Sequence, residues 1–203
     1  MPGNTLLSGK SGHRSAVTVD TYRLWEREPD KGWSKKPDFI MRRLFERYVE
    51  PVRALDLHKD TLDRKNGFYI MAVSCLLIEA LVSFWRGWET TESNRKLKTK
   101  GKSRKAFKLF FRTQQRFRDF DRTEFYECVR CGILHQGETK KSWTIERTGS
   151  LFDGRGRINA TRFHNRLALA INDYARLLRT PPEGSNYRRN FDKKMKAVIE
   201  NCG

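Results

Sequence analysis

Apolar residues recur at helical intervals along most of the chain. In SKKPDFIMRRLFERYVEPVRALDL, which begins at Ser34, Phe39, Ile40, Leu44, Phe45, Tyr48, Val49 and Val52 fall near helical spacing. That spacing predicts a helix starting near Ser34 or Pro37 and kinked or ended by Pro51. Residues 64 to 88, RKNGFYIMAVSCLLIEALVSFWRGW, are apolar almost all round, the pattern of a central helix packed on several sides. Glu79 lies inside this run. A carboxylate there needs a cation or a set of donors, or a place at the edge of the bundle where it can reach water.

The pattern then breaks. Residues 89 to 105, ETTESNRKLKTKGKSRK, hold almost no apolar side chain and are strongly basic from Arg95, which predicts a solvated loop. In AFKLFFRTQQRFRDF, Phe107, Phe110, Phe111, Phe117 and Phe120 alternate with Lys108, Arg112, Arg116 and Arg118. Such phenylalanines are more often the core face of a helix, although interleaved cations and aromatics also suit single-stranded nucleic acid. Thr123 to Gly137 reads as a helix with Asp121 or Thr123 as cap and Gly137 at its end. The alternation from Trp143 to Arg147, followed by Gly149, Gly154 and Gly156, predicts a small hairpin or ordered loop. Asn159 caps a last long helix that presents Phe163, Leu167, Ala170, Ile171, Tyr174, Leu177 and Leu178 on one face and stops at PPEG, 181 to 184.

These elements predict a mainly α fold, an up-and-down bundle of four to five core helices with the hairpin or loop before the last long helix. Residues 1–33 are expected to form a flexible basic N-terminal arm, 34–180 the helical domain, and 181–203 a basic C-terminal extension.

Charge narrows the partners. The 203 residues carry 42 Lys plus Arg against 24 Asp plus Glu, a net +18, which favours a polyanion and RNA or DNA above all. Lys105, Lys108, Arg112, Arg116 and Arg118 are the candidate contacts. Four cysteines, Cys75, Cys128, Cys131 and Cys202, are too few and too unevenly spaced for a secreted disulfide framework. With no secretory signal at the N-terminus and the apolar run from Ile70 to Val82 shorter than a span of roughly 20 residues, a cytoplasmic protein without a membrane segment is expected.

Two chemistries compete in CVRCGILHQGE, residues 128 to 138. On a helix Cys128, Cys131 and His135 project within about 60° of one another, but a structural zinc site wants four ligands and the fourth is missing. No metal or cofactor is therefore expected. Arg130 and His135 form the other pair, Arg-x4-His. The pattern is loose, since Arg53 with His58 and Arg157 with His164 satisfy a similar spacing. Helical geometry adds context: Phe125, Val129, Gly132 and Ile133 share a core face, while Arg130, Leu134 and His135 fall on the other half with Glu127, Cys131 and Glu138. An apolar anchor among reactive groups suggests a face covered by a partner, and a homodimer cleft is expected there.

VRCGILHQGET, preceded by LLIEALVSFWRG and followed by INATRF and INDYARLL, resembles the HEPN superfamily of small helical-bundle domains over roughly residues 38 to 180. The resemblance implies a dimerising bundle in which Arg130 and His135 are catalytic and Glu79 is the additional polar residue of the preceding core helix; Cys131 and Glu138, which share the helix face with the pair, are the further supporting candidates. It implies further a metal-independent endoribonuclease of the kind found among toxins and phage-defence effectors, with an antitoxin or regulatory protein as a conceivable partner. In active members the residue after the arginine is often polar, whereas Cys131 stands there in this chain; non-catalytic members bind nucleic acid or proteins instead.

Overall fold

The computed structural model describes residues 5–10, 14–56, 66–92 and 101–202. The fold is mainly α, a helical bundle with two short strand pairs among the described residues. In order these elements are β1 (Leu6–Ser8), β2 (Val17–Thr18), α1 (Val19–Arg27), α2 (Pro29–Leu44), α3 (Glu50–Asp56), α4 (Gly67–Arg86), α5 (Ser103–Thr113), α6 (Cys131–Gln136), β3 (Thr144–Glu146), β4 (Arg157–Asn159), α7 (Ala160–Arg179) and α8 (Tyr187–Glu200). Wide π-helical turns occupy Phe45–Val49 and Tyr126–Arg130, and a 3₁₀ helix spans Gln115–Phe120. The chain divides into two compact units, one of Met1–Arg47, Ser83–Glu89 and Ile171–Gly203 and one of Tyr48–Val82 and Thr90–Ala170, so the division runs through α4 and α7.

The first unit builds the described residues of the N-terminal arm and of the C-terminal extension into regular elements. β1 and β2 pair antiparallel, with Leu6 opposite Thr18, and Thr18 caps α1 by accepting the Thr21 N–H at 3.2 Å. Leu7, Val17, Val19 and Tyr22 are buried, as are Phe191 and Met195 of α8. These few large side chains supply the burial that holds both terminal segments in place, despite their polar composition. Lys36 of α2 reaches Asp192 of α8 at 2.7 Å, and Phe84 stacks on Phe191 with ring centroids 5.8 Å apart. The helix expected from Ser34 begins earlier, at Pro29, because the Ser34 hydroxyl bonds back to the Lys31 carbonyl inside the helix at 2.7 Å and does not cap its start. Pro37 is carried within it.

The second unit is built on an aromatic core. Phe107, Phe110, Phe111, Phe117, Phe120, Phe125 and Phe163 are all buried, and Phe125 stacks on Phe163 at 5.4 Å and 8°. The phenylalanines of α5 and the 3₁₀ helix are thus core residues and cannot act as base-stacking platforms. Each close ring pair contributes about 0.5–1.5 kcal/mol beyond its buried area. α7 starts where the sequence predicts, with Asn159 Oδ1 accepting from the Arg162 N–H at 2.9 Å. Before it, the glycine-rich stretch is an ordered loop and not a hairpin: β3 and β4 pair in parallel, Ile145 opposite Ile158. Parallel strands need a longer return than a two-residue turn, and residues 147 to 156 provide it.

Candidate functional site

Burial of Glu79 organises the site. Gly67–Arg86 is long and apolar enough by length and composition to cross a membrane, yet it carries this carboxylate, whose side chain is 11% exposed, within a network of donors. Thr91 Oγ donates to Oε2 and Ser103 Oγ to Oε1, each at 2.7 Å, and Arg130 Nε donates to Oε1 at 2.9 Å. The chain on either side of 93–100 is drawn together here, since the Lys102 N–H also bonds the Thr91 carbonyl at 2.7 Å. A carboxylate in such surroundings is stabilised by charge-assisted bonds that replace its hydration.

Arg130 ends the π turn, in which the Cys131 N–H bonds the Tyr126 carbonyl. Wide turns of this kind inside helices often mark functional positions. The guanidinium carbon of Arg130 lies 5.7 Å from the centre of the Tyr126 ring. Burial works against the charge of Arg130, but the Glu79 carboxylate outweighs it through charge and hydrogen bond, holding the guanidinium above the usual arginine value.

The other end of the guanidinium points at His135. Arg130 Nη1 lies 3.2 Å from His135 Nε2. Arginine has donors only, so Nε2 accepts, and in this arrangement the imidazole is neutral with its proton on Nδ1. Five residues of α-helix separate side-chain directions by about 140°, too far for a short side chain to bridge. The length of arginine closes that gap.

Two glycines fix the end of this helix. Gly137 adopts φ +69° as its left-handed terminator. Gly132 meets the returning chain: a Cβ there would come within 2.4 Å of the Glu138 carbonyl oxygen, and the Lys140 N–H bonds the Cys128 carbonyl at 3.0 Å. The loop after His135 therefore folds back over the glycine.

Arg130, His135 and Glu79 converge; the other expected site residues do not join them equally. Cys131 is half-buried behind Arg130, whereas Glu138 is exposed and accepts from the Thr139 N–H at 2.8 Å in its own loop. Lys105, Lys108, Arg112, Arg116 and Arg118 are all exposed. Cys128 is buried while His135 is exposed, and among the described residues no group of three His, Cys, Asp or Glu side chains is placed to hold a metal ion. Of the alternative pairs, Arg157 and His164 separate as well. His164 is buried against Ser74 Oγ at 2.9 Å, Arg157 pairs with Glu146 at 3.3 Å, and His58 lies outside the described residues, as does 95–100 of the basic loop.

Thr91, Ser103 and Tyr126 are members of the site that the pattern of the sequence does not reveal. The demand of a buried Glu79 for donors is the one signal pointing towards them, and it names no residue. Comparison of the chain with protein-family models, with curated proteins and with solved structures gives no match.

Proposed function

We propose that the protein is a metal-independent endoribonuclease of the kind the HEPN resemblance implies, acting in the cytoplasm as a toxin or defence effector. The observation that carries this reading is the bridge made by Arg130, anchored on Glu79 by Nε and touching His135 by Nη1. Neutral His135 offers Nε2 as the base for an RNA 2′-hydroxyl. As the scissile phosphate draws the guanidinium towards itself, that lone pair is released. The 2′-oxygen then attacks phosphorus, and Arg130 offsets the charge that builds on the phosphorane. The bond to the 5′-oxygen breaks, that oxygen takes the proton His135 accepted from the 2′-hydroxyl, and a 2′,3′-cyclic phosphate and a 5′-hydroxyl result. DNA lacks the nucleophile and should survive. Side chains and substrate supply every group this route needs.

A homodimer fits the same reading. Ile133 and Leu134 are half-exposed beside His135, and α4 leaves Tyr69 43% and Leu76 48% exposed two turns apart on one face. Solvent-facing apolar residues at that spacing suit a second helix.

A second reading keeps the fold and drops the chemistry: the Glu79–Arg130 pair, with 11% and 17% of its side chains exposed, would serve stability in a module that binds nucleic acid or protein. Labelled RNA incubated in EDTA with the wild type, Arg130→Ala and His135→Ala separates the two. Cleavage by the wild type alone supports the nuclease; equal cleavage in all three sinks it, and binding without cleavage favours the module.

A further inference from the structure

Next to the Glu79–Arg130 centre a second feature remains unused by this chemistry. A cleft of about 400 Å³ opens between α5 and the turn before Tyr126, with Phe107 and Phe111 on its floor and Arg104, Lys108, Arg122 and Tyr126 around its mouth. It adjoins the centre through two residues. Ser103, the first residue of α5, donates to Glu79, and Tyr126 stands between the cleft and Arg130.

Tyr126 is half-exposed, packs on Phe107 at 5.5 Å between ring centroids, and has the guanidinium carbons of both Arg104 and Arg130 within 6 Å of its own, at 5.3 and 5.7 Å. Unlike the phenylalanines of the core, this ring reaches the surface. An aromatic face and a mobile guanidinium plane are the two side-chain surfaces on which unpaired bases stack. The Arg104 side chain is 72% exposed, so a base can slide against it or take its place on the ring without breaking the fold.

The charge around the cleft suits a phosphate chain. Its carboxylates are largely engaged, Glu127 by Arg104 and Glu124 by Lys141 at 2.5 Å, so Lys108 and Arg122 outnumber Asp121. Beyond Arg104, which is paired with Glu127, Lys108 and Arg112 follow as exposed cations four residues apart on α5, about 6 Å along the helix.

We infer that this cleft holds the nucleotide next to the scissile phosphate, its base against Tyr126 and Arg104 and its flanking phosphates along Lys108, Arg112 and Arg122. The inference rests on the ribonuclease reading and adds to it a substrate: single-stranded RNA entering over α5. Duplex is excluded by the same logic, since a paired base presents no free face to the ring.

The test uses the full chain carrying His135→Ala, to stop turnover, and a labelled single-stranded RNA containing 4-thiouridine. Photocrosslinks are expected on the peptides bearing Arg104 and Tyr126. Tyr126→Leu should weaken binding roughly tenfold or more, while Tyr126→Phe, which keeps the ring, should bind as tightly as its parent. Lys108→Gln should lower the slope of log affinity against log salt by about 0.7. Arg122→Gly removes a charge at a residue already at φ +65°, so its loss of affinity cannot come from misfolding. Crosslinks confined to other segments, with all four variants binding normally, overturn the inference even if the wild-type protein cleaves RNA. Binding through Tyr126 without wild-type cleavage supports the cleft and overturns the nuclease reading; no RNA binding at all overturns both.

Discussion

Arg130 donates to Glu79 at 2.9 Å across 51 positions of sequence, and the pair joins two helices that the sequence pattern describes separately. Removing one partner leaves the other charge without compensation in a nearly closed site. Glu79→Ala should therefore destabilise the protein by about 2–4 kcal/mol in urea unfolding, and Glu79→Ala with Arg130→Met should recover part of that loss. Strict additivity of the two substitutions would contradict the coupling.

Lysine cannot replace Arg130. One ammonium has no second nitrogen in a fixed fork, so it can hold Glu79 or approach His135 but not span both. Under the proposed function Arg130→Lys should lose cleavage as fully as Arg130→Ala, on the order of 10²–10³-fold in single-turnover rate. Wild-type rates in Arg130→Lys would show that the bridge is irrelevant.

The fold was largely legible from the spacing of apolar residues, and the candidate site only in part. The α4 and α7 helices, the Asn159 cap and the Gly137 terminator follow from local pattern and backbone preference. Tertiary burial decided the rest. Leu7, Val19 and Tyr22 give order to a segment whose composition reads as polar, and the parallel pairing of β3 with β4 depends on where residues 147 to 156 return. Arg-x4-His was visible beside two look-alikes. What distinguishes it from Arg157 with His164 is contact, since His164 turns to Ser74 and Arg157 to Glu146, while His58 of the other look-alike lies outside the described residues.

His164 should make stability depend on mild acid. It is buried, its Nδ1 paired with Ser74 Oγ at 2.9 Å, and desolvation first, then the Arg53 charge, lowers its pKa to about 4 against the opposing Tyr48 carbonyl. Between about pH 4 and pH 6.5 the unfolded chain binds a proton that the folded chain refuses, so stability falls as pH falls through that window, by up to about 1.4 kcal/mol per pH unit. Urea midpoints of the wild type and His164→Gln at pH 7 and pH 5 check this. The variant should lose less on acidification, and parallel losses would assign the effect to other groups.

Gly132 and Gly137 should respond differently to alanine. At Gly132 the new Cβ meets the Glu138 carbonyl at 2.4 Å, so the loop behind His135 must move; a loss of about 2 kcal/mol or more is expected. At Gly137 nothing lies within 4 Å, and the cost is only that of φ +69°, about 1 kcal/mol. Thermal unfolding of the two variants gives the ranking, which would be refuted by its reversal.

The chain leaves the Glu79 carboxylate at Thr91 and comes back to it at Ser103. The site thus sees the two anchors and not the number of residues between them. Loss of either hydroxyl should accordingly be felt at Arg130, which shares the carboxylate with them.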